Sequence, residues 1–147
     1  MCGICGEIGF EGAADVGAVA RMAETLAPRG PDDQGVLARG HVAFGHRRLK
    51  IIDLSAKAEQ PMTDPELGLS IVFNGCIYNY PELRRELEAA GYRFFSTGDT
   101  EVMLKAYHAW GLDFPKRLHG MFAFAIVERE SGRVVLGRDR FGIKPLY

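Results

Sequence analysis

The sequence lacks long hydrophobic runs and any excess of charge of one sign. Its longest uninterrupted apolar stretch, residues 121–127, is far shorter than the ~20 residues that a membrane-spanning helix needs. The 18 lysine and arginine residues are offset by 19 aspartate and glutamate residues, so a broad cationic surface is not expected. These two absences predict a protein whose partners are neither membranes nor nucleic acids.

Cysteine is also scarce, and its number is odd. The three residues Cys2, Cys5 and Cys76 cannot all pair within one chain. The residues after Met1 contain neither the basic region nor the long apolar stretch of a secretory signal. Both features predict reduced thiols in a cytoplasmic protein.

The composition is typical of one globular domain. The 147 residues, 47% of them hydrophobic and 25% charged, are enough to form a substantial core. We find no internal repeat and no flexible linker in the chain. The ending Pro145-Leu146-Tyr147 is apolar and has no polar tail, so we expect the chain to be part of a larger protein.

Hydrophobic residues spaced three and four apart predict three helices. Asp15 can cap the first helix and Pro28 ends it, while Pro81 suits the first turn of the second. The third helix begins near Asp99 or Thr100. The predicted helices cover Asp15–Ala27, Pro81–Ala90 and Asp99–Trp110.

Apolar runs bounded by turn residues predict the strands. Met121–Glu128 has no polar alternation, which is typical of a strand buried on both faces. The segment 55–69 contains two prolines and is predicted to be a loop. The strands are predicted at Ile4–Phe10, Val36–Leu37, Val42–Gly45, Ser70–Phe73, Met121–Glu128 and Arg133–Arg138. Strands and helices in this irregular order indicate an α+β fold, with sheets packed face to face and helices outside.

Cys2 is a candidate nucleophile because it follows the initiating methionine. Removal of Met1, which a small second residue favours, would leave a thiol and a free α-amine on one residue. An α-amine has a pKa of ~7.7–8.0, so it can take the thiol proton and later return it to a leaving amine. The alternative is that Cys2 is a small buried residue at the start of a strand.

Cys2 and Cys5 also form a C-x-x-C pair, which is compatible with a zinc site or a redox pair. A zinc site would add His41 and His46, but the intervening stretch is long and contains a predicted helix. A redox pair normally opens a helix, whereas these cysteines lie in a predicted strand and would point to opposite faces. We therefore predict no metal ligands, and keep a non-catalytic zinc, redox or interaction module as the alternative.

Asn74-Gly75 follows a predicted strand and has two interpretations. Asn-Gly is the leading dipeptide of tight hairpin turns, and from the residues alone this interpretation is favoured. The alternative is an oxyanion hole, in which the Asn74 side-chain amide and the Gly75 N–H converge on one oxygen.

Arg48 and Asp99 are candidates for binding a charged substrate. Arg48 belongs to the basic cluster His46–Lys50, which could be a solvated face or could supply a bidentate grip on a carboxylate. Asp99 precedes a predicted helix, where it could be the N-cap or could receive an ammonium group.

Seven motifs occur in an order that resembles a known family. They are Met1-Cys2-Gly3-Ile4, Arg29-Gly30-Pro31-Asp32, His46-Arg47-Arg48-Leu49, Asn74-Gly75-Cys76-Ile77-Tyr78-Asn79, Gly98-Asp99-Thr100-Glu101-Val102, Gly120-Met121-Phe122-Ala123-Phe124 and Gly137-Arg138-Asp139 through to Pro145-Leu146-Tyr147. With them the chain resembles the class II glutamine amidotransferase domain, the N-terminal-nucleophile glutaminase half of asparagine synthetase-like enzymes. The resemblance covers essentially the whole chain.

The resemblance implies a fold and a set of roles. The fold would be a four-layer α/β/β/α sandwich of the N-terminal-nucleophile hydrolase type, lacking its last strands here. Cys2 would be the nucleophile, and Asn74 and Gly75 the oxyanion hole. Arg48 would bind the α-carboxylate of glutamine, and Asp99 its α-ammonium group.

The resemblance also implies partners outside this domain. No cofactor is expected in residues 1–147. An ATP- and Mg-dependent synthetase domain is expected downstream in the same polypeptide, and it would use the ammonia.

One motif departs from the common pattern of the family. Asparagine synthetases usually carry Asn-Gly-Glu-Ile-Tyr-Asn, and here Cys76 replaces the glutamate. With this change the chain is similar to a bacterial subgroup, the N-acetylglutaminylglutamine amidotransferases. An N-acetylglutaminylglutamine dipeptide is therefore the expected ammonia acceptor, and aspartate is the alternative.

Overall fold

Two antiparallel sheets form the centre of the molecule. The computed structural model describes residues 1–147. The first sheet has the order β1-β3-β2 and consists of β1 (Gly3–Ile8), β2 (Asp33–Arg39) and β3 (Val42–Arg48). The second has the order β4-β5-β6-β7 and consists of β4 (Met62–Asp64), β5 (Leu69–Ile77), β6 (Gly120–Glu128) and β7 (Val134–Arg138).

Helices cover the outer face of each sheet. Helix α1 (Val16–Thr25) packs on the first sheet, where Val19 meets Ala43 of β3. Helices α2 (Tyr80–Ala89) and α3 (Asp99–Trp110) pack on each other and on the second sheet. Short 3₁₀ helices lie at Ala27–Arg29, Ala56–Ala58 and Gly111–Arg117. None of the helices is both long and apolar enough to cross a membrane.

The core divides into two parts because side chains of β5 alternate between the faces of its sheet. Val72 points towards the other sheet, where it packs with Val42 and Phe44 of β3. Ile71 and Phe73 point the other way, into the larger core beneath α2 and α3. The order of layers is helix, sheet, sheet, helix, so the predicted α/β/β/α sandwich is confirmed.

The structure agrees with predictions that depend on residues close together in the sequence. The Asp15 carboxylate accepts a hydrogen bond from Ala18 N at 2.9 Å and caps α1, as expected. Strand β6 is buried along most of its length, also as expected. The loop prediction for residues 55–69 is wrong in part, because residues 62–64 pair with β5 as strand β4. A strand of that length depends on its neighbour, which local composition does not report.

Candidate active site

A cavity of about 110 Å³ opens at the end of the sandwich, and all the predicted site residues line it. Cys2 lies just before β1, and Arg48 is the last residue of β3. Asn74 and Gly75 lie near the end of β5, and Asp99 begins α3. Residues spread over nearly a hundred positions of sequence therefore meet at one place.

Cys2 lies between the ends of β1 and β3. The pairing of Gly3 with Arg47 brings the thiol next to Leu49, whose N–H donates to Cys2 Sγ at 3.3 Å. The thiol also lies 3.7 Å from the Leu49 carbonyl, and Arg29 Nε donates to the Cys2 carbonyl at 3.2 Å. Met1 is attached in this chain and lines the same cavity. The Cys2 nitrogen is therefore an amide here, without the basicity of an amine.

Asn74 and Gly75 are not in a turn. They lie within the nine-residue strand β5, opposite Ala123 and Phe122 of β6, so the hairpin interpretation is wrong. A Cβ on Gly75 would lie 2.3 Å from the Met121 carbonyl oxygen, so the close approach of the two strands requires glycine here. Continuous pairing with β6 overrides the local turn preference of Asn-Gly.

Arg48 is buried rather than solvated, so the interpretation of its cluster as a solvent-facing surface is wrong for this residue. Its Nη1 donates to the Ser55 carbonyl at 2.9 Å, and its Nη2 donates to the Asp53 carbonyl. These bonds fix the guanidinium at the wall of the cavity. They also tie the segment after β3 to the strand itself.

Asp99 is the first residue of α3, and Gly98 rather than Asp99 occupies the N-cap position. The N-cap interpretation is therefore wrong by one residue. The Asp99 carboxylate instead accepts a hydrogen bond from Ile77 N of β5 at 3.0 Å. Burial raises the pKa of Asp99 to about 6, against hydrogen bonds from the backbone N–H groups of Ile77, Asp99 and Thr100, which lower it.

Asp53 joins the two segments that carry Arg48 and Asp99, and our sequence analysis missed it. One oxygen accepts from Ser55 N at 2.9 Å and Ser55 Oγ at 2.7 Å. The other accepts from Thr97 N at 2.8 Å and Thr97 Oγ1 at 2.9 Å. Burial alone would raise the pKa of Asp53, but these four hydrogen bonds outweigh it and hold the pKa well below its usual range. No spacing rule connects positions this far apart.

Glu101 holds the segment before Asp99 through hydrogen bonds. Its carboxylate accepts from Phe95 N at 2.9 Å and from Ser96 N and Oγ, both at 2.6 Å. Lys105 lies between this carboxylate, at 2.9 Å, and that of Asp64, at 2.7 Å. The ion pairs are buried and lock α3 to strand β4.

Asp139 organises the last segment that reaches the cavity. Its two oxygens accept from the N–H groups of Phe122 (3.1 Å), Phe141 (3.1 Å), Ile143 (2.9 Å) and Lys144 (3.0 Å). Burial would raise the pKa of Asp139, but these bonds hold it below its usual range. The bonds place Lys144 at the cavity wall.

The zinc and redox alternatives for Cys2 and Cys5 do not fit the structure. Cys5 lies on the opposite face of β1, against Val19 of α1, whose carbonyl is 3.7 Å from Cys5 Sγ. His46 is buried, with Nε2 3.3 Å from the Phe73 carbonyl, and burial lowers its pKa to about 4. No three His, Cys, Asp or Glu side chains come together as metal ligands.

Comparison with known proteins places this sandwich and its cavity in a family. The glutamine amidotransferase domain family matches residues 1–147, so the chain belongs to that family. A solved structure, glutamine phosphoribosylpyrophosphate amidotransferase from B. subtilis, has the same fold, with a TM-score of 0.74 and 19% identity over 95% of this chain and 37% of that one. The chain therefore has the fold of this amidotransferase.

Within this family, several of the similar curated proteins are named asparagine synthetases. "Asparagine synthetase [glutamine-hydrolyzing] 3" of Bacillus subtilis is 40% identical over the whole chain. A "putative asparagine synthetase [glutamine-hydrolyzing]" of Mycobacterium bovis is 43% identical, again over the whole chain. The chain spans 24% and 25% of the lengths of these two proteins. It is thus a glutamine amidotransferase domain of the asparagine synthetase-like proteins.

Proposed function

We propose that this chain hydrolyses glutamine to glutamate and ammonia through a thioester on Cys2. The observation that carries the proposal is the convergence of Cys2, Asn74, Gly75, Arg48 and Asp99 on one cavity. The names of the relatives support glutamine as the substrate, because both are called glutamine-hydrolysing.

Two side chains of opposite charge would hold the backbone end of glutamine. Arg48 keeps guanidinium N–H groups beyond those that bind Ser55 and Asp53, and they can grip the α-carboxylate. Asp99 has its carboxylate in the same cavity and can pair with the α-ammonium group. A substrate held at both charges would extend its side-chain amide towards Cys2.

The chemistry then needs only the groups of Cys2 and the oxyanion donors. The thiolate forms a bond to the amide carbon, and the carbonyl oxygen becomes an oxyanion that accepts hydrogen bonds from the Asn74 side chain and Gly75 N–H. The carbon–nitrogen bond breaks, and ammonia leaves with the proton returned by the Cys2 α-ammonium group. Water, deprotonated by the same amine, hydrolyses the thioester and releases glutamate.

Removal of Met1 is part of the proposal, because the base is the free amine of Cys2. While Met1 is attached, the nitrogen is an amide and cannot take the thiol proton. Without that base, the thiol is not converted to the thiolate that attacks glutamine.

The ammonia would amidate an acceptor in an ATP- and Mg-dependent synthetase domain of the same polypeptide. For the acceptor we propose an N-acetylglutaminylglutamine dipeptide, supported by Cys76 in the motif Asn74–Asn79. Aspartate is the second candidate, and the names of the relatives favour it.

Replacing Cys2 tests the proposal in the full-length protein. Cys2→Ala is expected to abolish glutamine-dependent synthesis and to leave ammonia-dependent synthesis intact, because ammonia bypasses the thioester. Cys5→Ala is the matched control, since Cys5 faces α1 outside the cavity. Glutamine-dependent activity in Cys2→Ala would refute the assignment. Supplying aspartate or the dipeptide with ammonia and ATP in the same assay, and identifying the amidated product by mass spectrometry, decides the acceptor.

A further inference from the structure

Lys144 is a buried cation at the wall of the cavity, and nothing in the proposed chemistry uses it. It is 2% exposed, and its backbone N–H donates to Asp139, which holds the segment in place. The residues with ionisable groups that line the cavity from all the surrounding elements are Met1, which carries the α-amine of the chain, Cys2, Arg48, Asp53, Cys76, Asp99 and Lys144.

The Lys144 ammonium has no carboxylate partner. Its Nζ lies 2.6 Å from Met1 Sδ, and Lys144 takes part in none of the ion pairs of the chain. A thioether sulfur is a weak acceptor, so a buried ammonium group on it is poorly compensated. The arrangement is therefore suited to an anion that enters the same space.

The charged side chains of Arg48, Asp53 and Asp99 have hydrogen-bond partners. Arg48 donates to backbone carbonyls, Asp53 accepts four hydrogen bonds, and Asp99 accepts from Ile77 N. Burial raises the pKa of the Cys76 thiol, Asp99 raises it further and Lys144 lowers it. The charge of Lys144 therefore acts on the thiol of Cys76 in this cavity.

Met1 connects Lys144 to Cys2. The sulfur of Met1 is separated from the Cys2 nitrogen by five covalent bonds, so the Lys144 ammonium lies within roughly 9 Å of that nitrogen. When Met1 is removed, its thioether leaves the ammonium, and the new amino terminus and thiol of Cys2 are the nearest groups of the processed end.

We propose that Lys144 is a positioning residue of the glutaminase site, whose buried ammonium becomes the counter-charge of the Cys2 thiolate once Met1 has been removed. The inference rests on the proposed function. A nearby cation favours the thiolate over the thiol. This effect shifts Cys2 towards its reactive thiolate form at neutral pH.

Alkylation of Cys2 by iodoacetamide tests this role, because the thiolate displaces iodide and the thiol does not. The rate is measured against pH in the full-length protein whose amino terminus is verified as Cys2. Fragment-ion mass spectrometry of the N-terminal peptide separates Cys2 from Cys5, which lies in the same peptide. Lys144→Met is expected to raise the pH midpoint by about one unit and to slow alkylation at pH 7 about tenfold. Lys144→Arg is expected to restore the wild-type profile.

The control is Lys116→Met, the same substitution at a lysine whose side chain is 72% exposed, and it should leave the profile unchanged. Lys144→Gln provides the same comparison if Lys144→Met lowers the thermal midpoint. An unchanged alkylation profile in both neutral variants would overturn the role of Lys144, including when the KM for glutamine rises. Absence of glutaminase activity in the wild-type protein would instead refute the proposed function.

Discussion

At the scale of single residues, Arg48 and Asp99 are the two charged candidates for binding glutamine. Both are buried, but the burial of their charges is compensated to different extents. Arg48 satisfies part of its guanidinium with backbone carbonyls of Asp53 and Ser55. Asp99 is equally buried, but burial raises its pKa to about 6, so its charged form is destabilised at neutral pH. A carboxylate kept charged at such a cost is typical of a binding site rather than of a structural contact.

The pKa of Asp99 fixes the sign of its effect on stability. Between the ordinary pKa of ~3.9 and the folded value, the folded state binds more protons than the unfolded state. The stability contributed by protonated Asp99 is therefore complete below the unfolded pKa and is lost as pH rises through about 6. At neutral pH the charged form costs on the order of 2 kcal/mol.

Asp99→Asn is predicted to separate stability from binding. Asparagine can still accept from Ile77 N, so the free energy of unfolding should rise by about 1 kcal/mol at pH 7.5 and by less at pH 4.5. Glutamine should bind ~10- to 150-fold more weakly, because a charge-assisted hydrogen bond is lost. Urea unfolding at both pH values and calorimetric titration of glutamine in a Cys2→Ala background measure the two effects. Unchanged glutamine affinity would contradict the role of Asp99.

At the scale of elements, the site is built from the ends of strands and a helix, and short polar segments hold those ends together. The segment after β3 and the segment before α3 share the carboxylate of Asp53, which bonds Ser55 on one side and Thr97 on the other. The segments that carry Arg48 and Asp99 are thus held to each other by the side chain of Asp53.

Asp53→Asn is predicted to destabilise the protein and weaken glutamine binding together. The amide has one acceptor oxygen, and its NH₂ would face the donors of Thr97 or Ser55. We expect a loss of about 2 kcal/mol in the free energy of unfolding and a higher KM for glutamine. Because the pKa of Asp53 is held low, this stability is present above pH ~4 and falls as pH falls, and the variant should lack that dependence.

Asp113→Asn is the matched control for Asp53→Asn, because Asp113 is exposed and pairs only with exposed Lys116. It should change the free energy of unfolding by less than about 0.5 kcal/mol. Equal stability of the two variants across pH would show that the four hydrogen bonds of Asp53 do not hold the segments.

At the scale of the whole molecule, the packing of the two sheets brings the amino terminus into the cavity. Met1, Cys2 and Lys144 meet there, although the outer two lie 143 residues apart. Both sheets and their helices are formed with Met1 attached, so the removal of this residue changes chemistry at the site without requiring a change in the layers.

Retention of a residue before Cys2 is predicted to silence the glutaminase and leave the fold intact. A cleavable peptide placed before Cys2 of the full-length protein gives one polypeptide in blocked and free forms. Glutamine hydrolysis should appear only after cleavage, because only then is the Cys2 amine a base. Ammonia-dependent synthesis and the thermal midpoint should be the same before and after. Normal glutamine turnover by the blocked form, with its mass verified, would refute the terminal-amine mechanism.

The sequence by itself determined the features that depend on near neighbours. Helix α1 with its Asp15 cap and the buried strand β6 follow from spacing and from composition over a few residues. Ordered motifs also predicted the candidates Cys2, Asn74, Gly75, Arg48 and Asp99. Such motifs can be recognised in the sequence because the residues of each one are consecutive along the chain.

Only the tertiary structure decided how these residues are used. Asn-Gly forms a turn when its neighbours are local, but pairing with β6 makes positions 74 and 75 part of β5. Asp53 bonds Thr97 across 44 residues of sequence, and Lys144 reaches Met1 across 143. Hydrogen bonds and charges act over a few ångströms in space whatever the separation along the chain. The contacts of Asp53 with Thr97 and of Lys144 with Met1 therefore depend on the tertiary structure and cannot be predicted from the sequence alone.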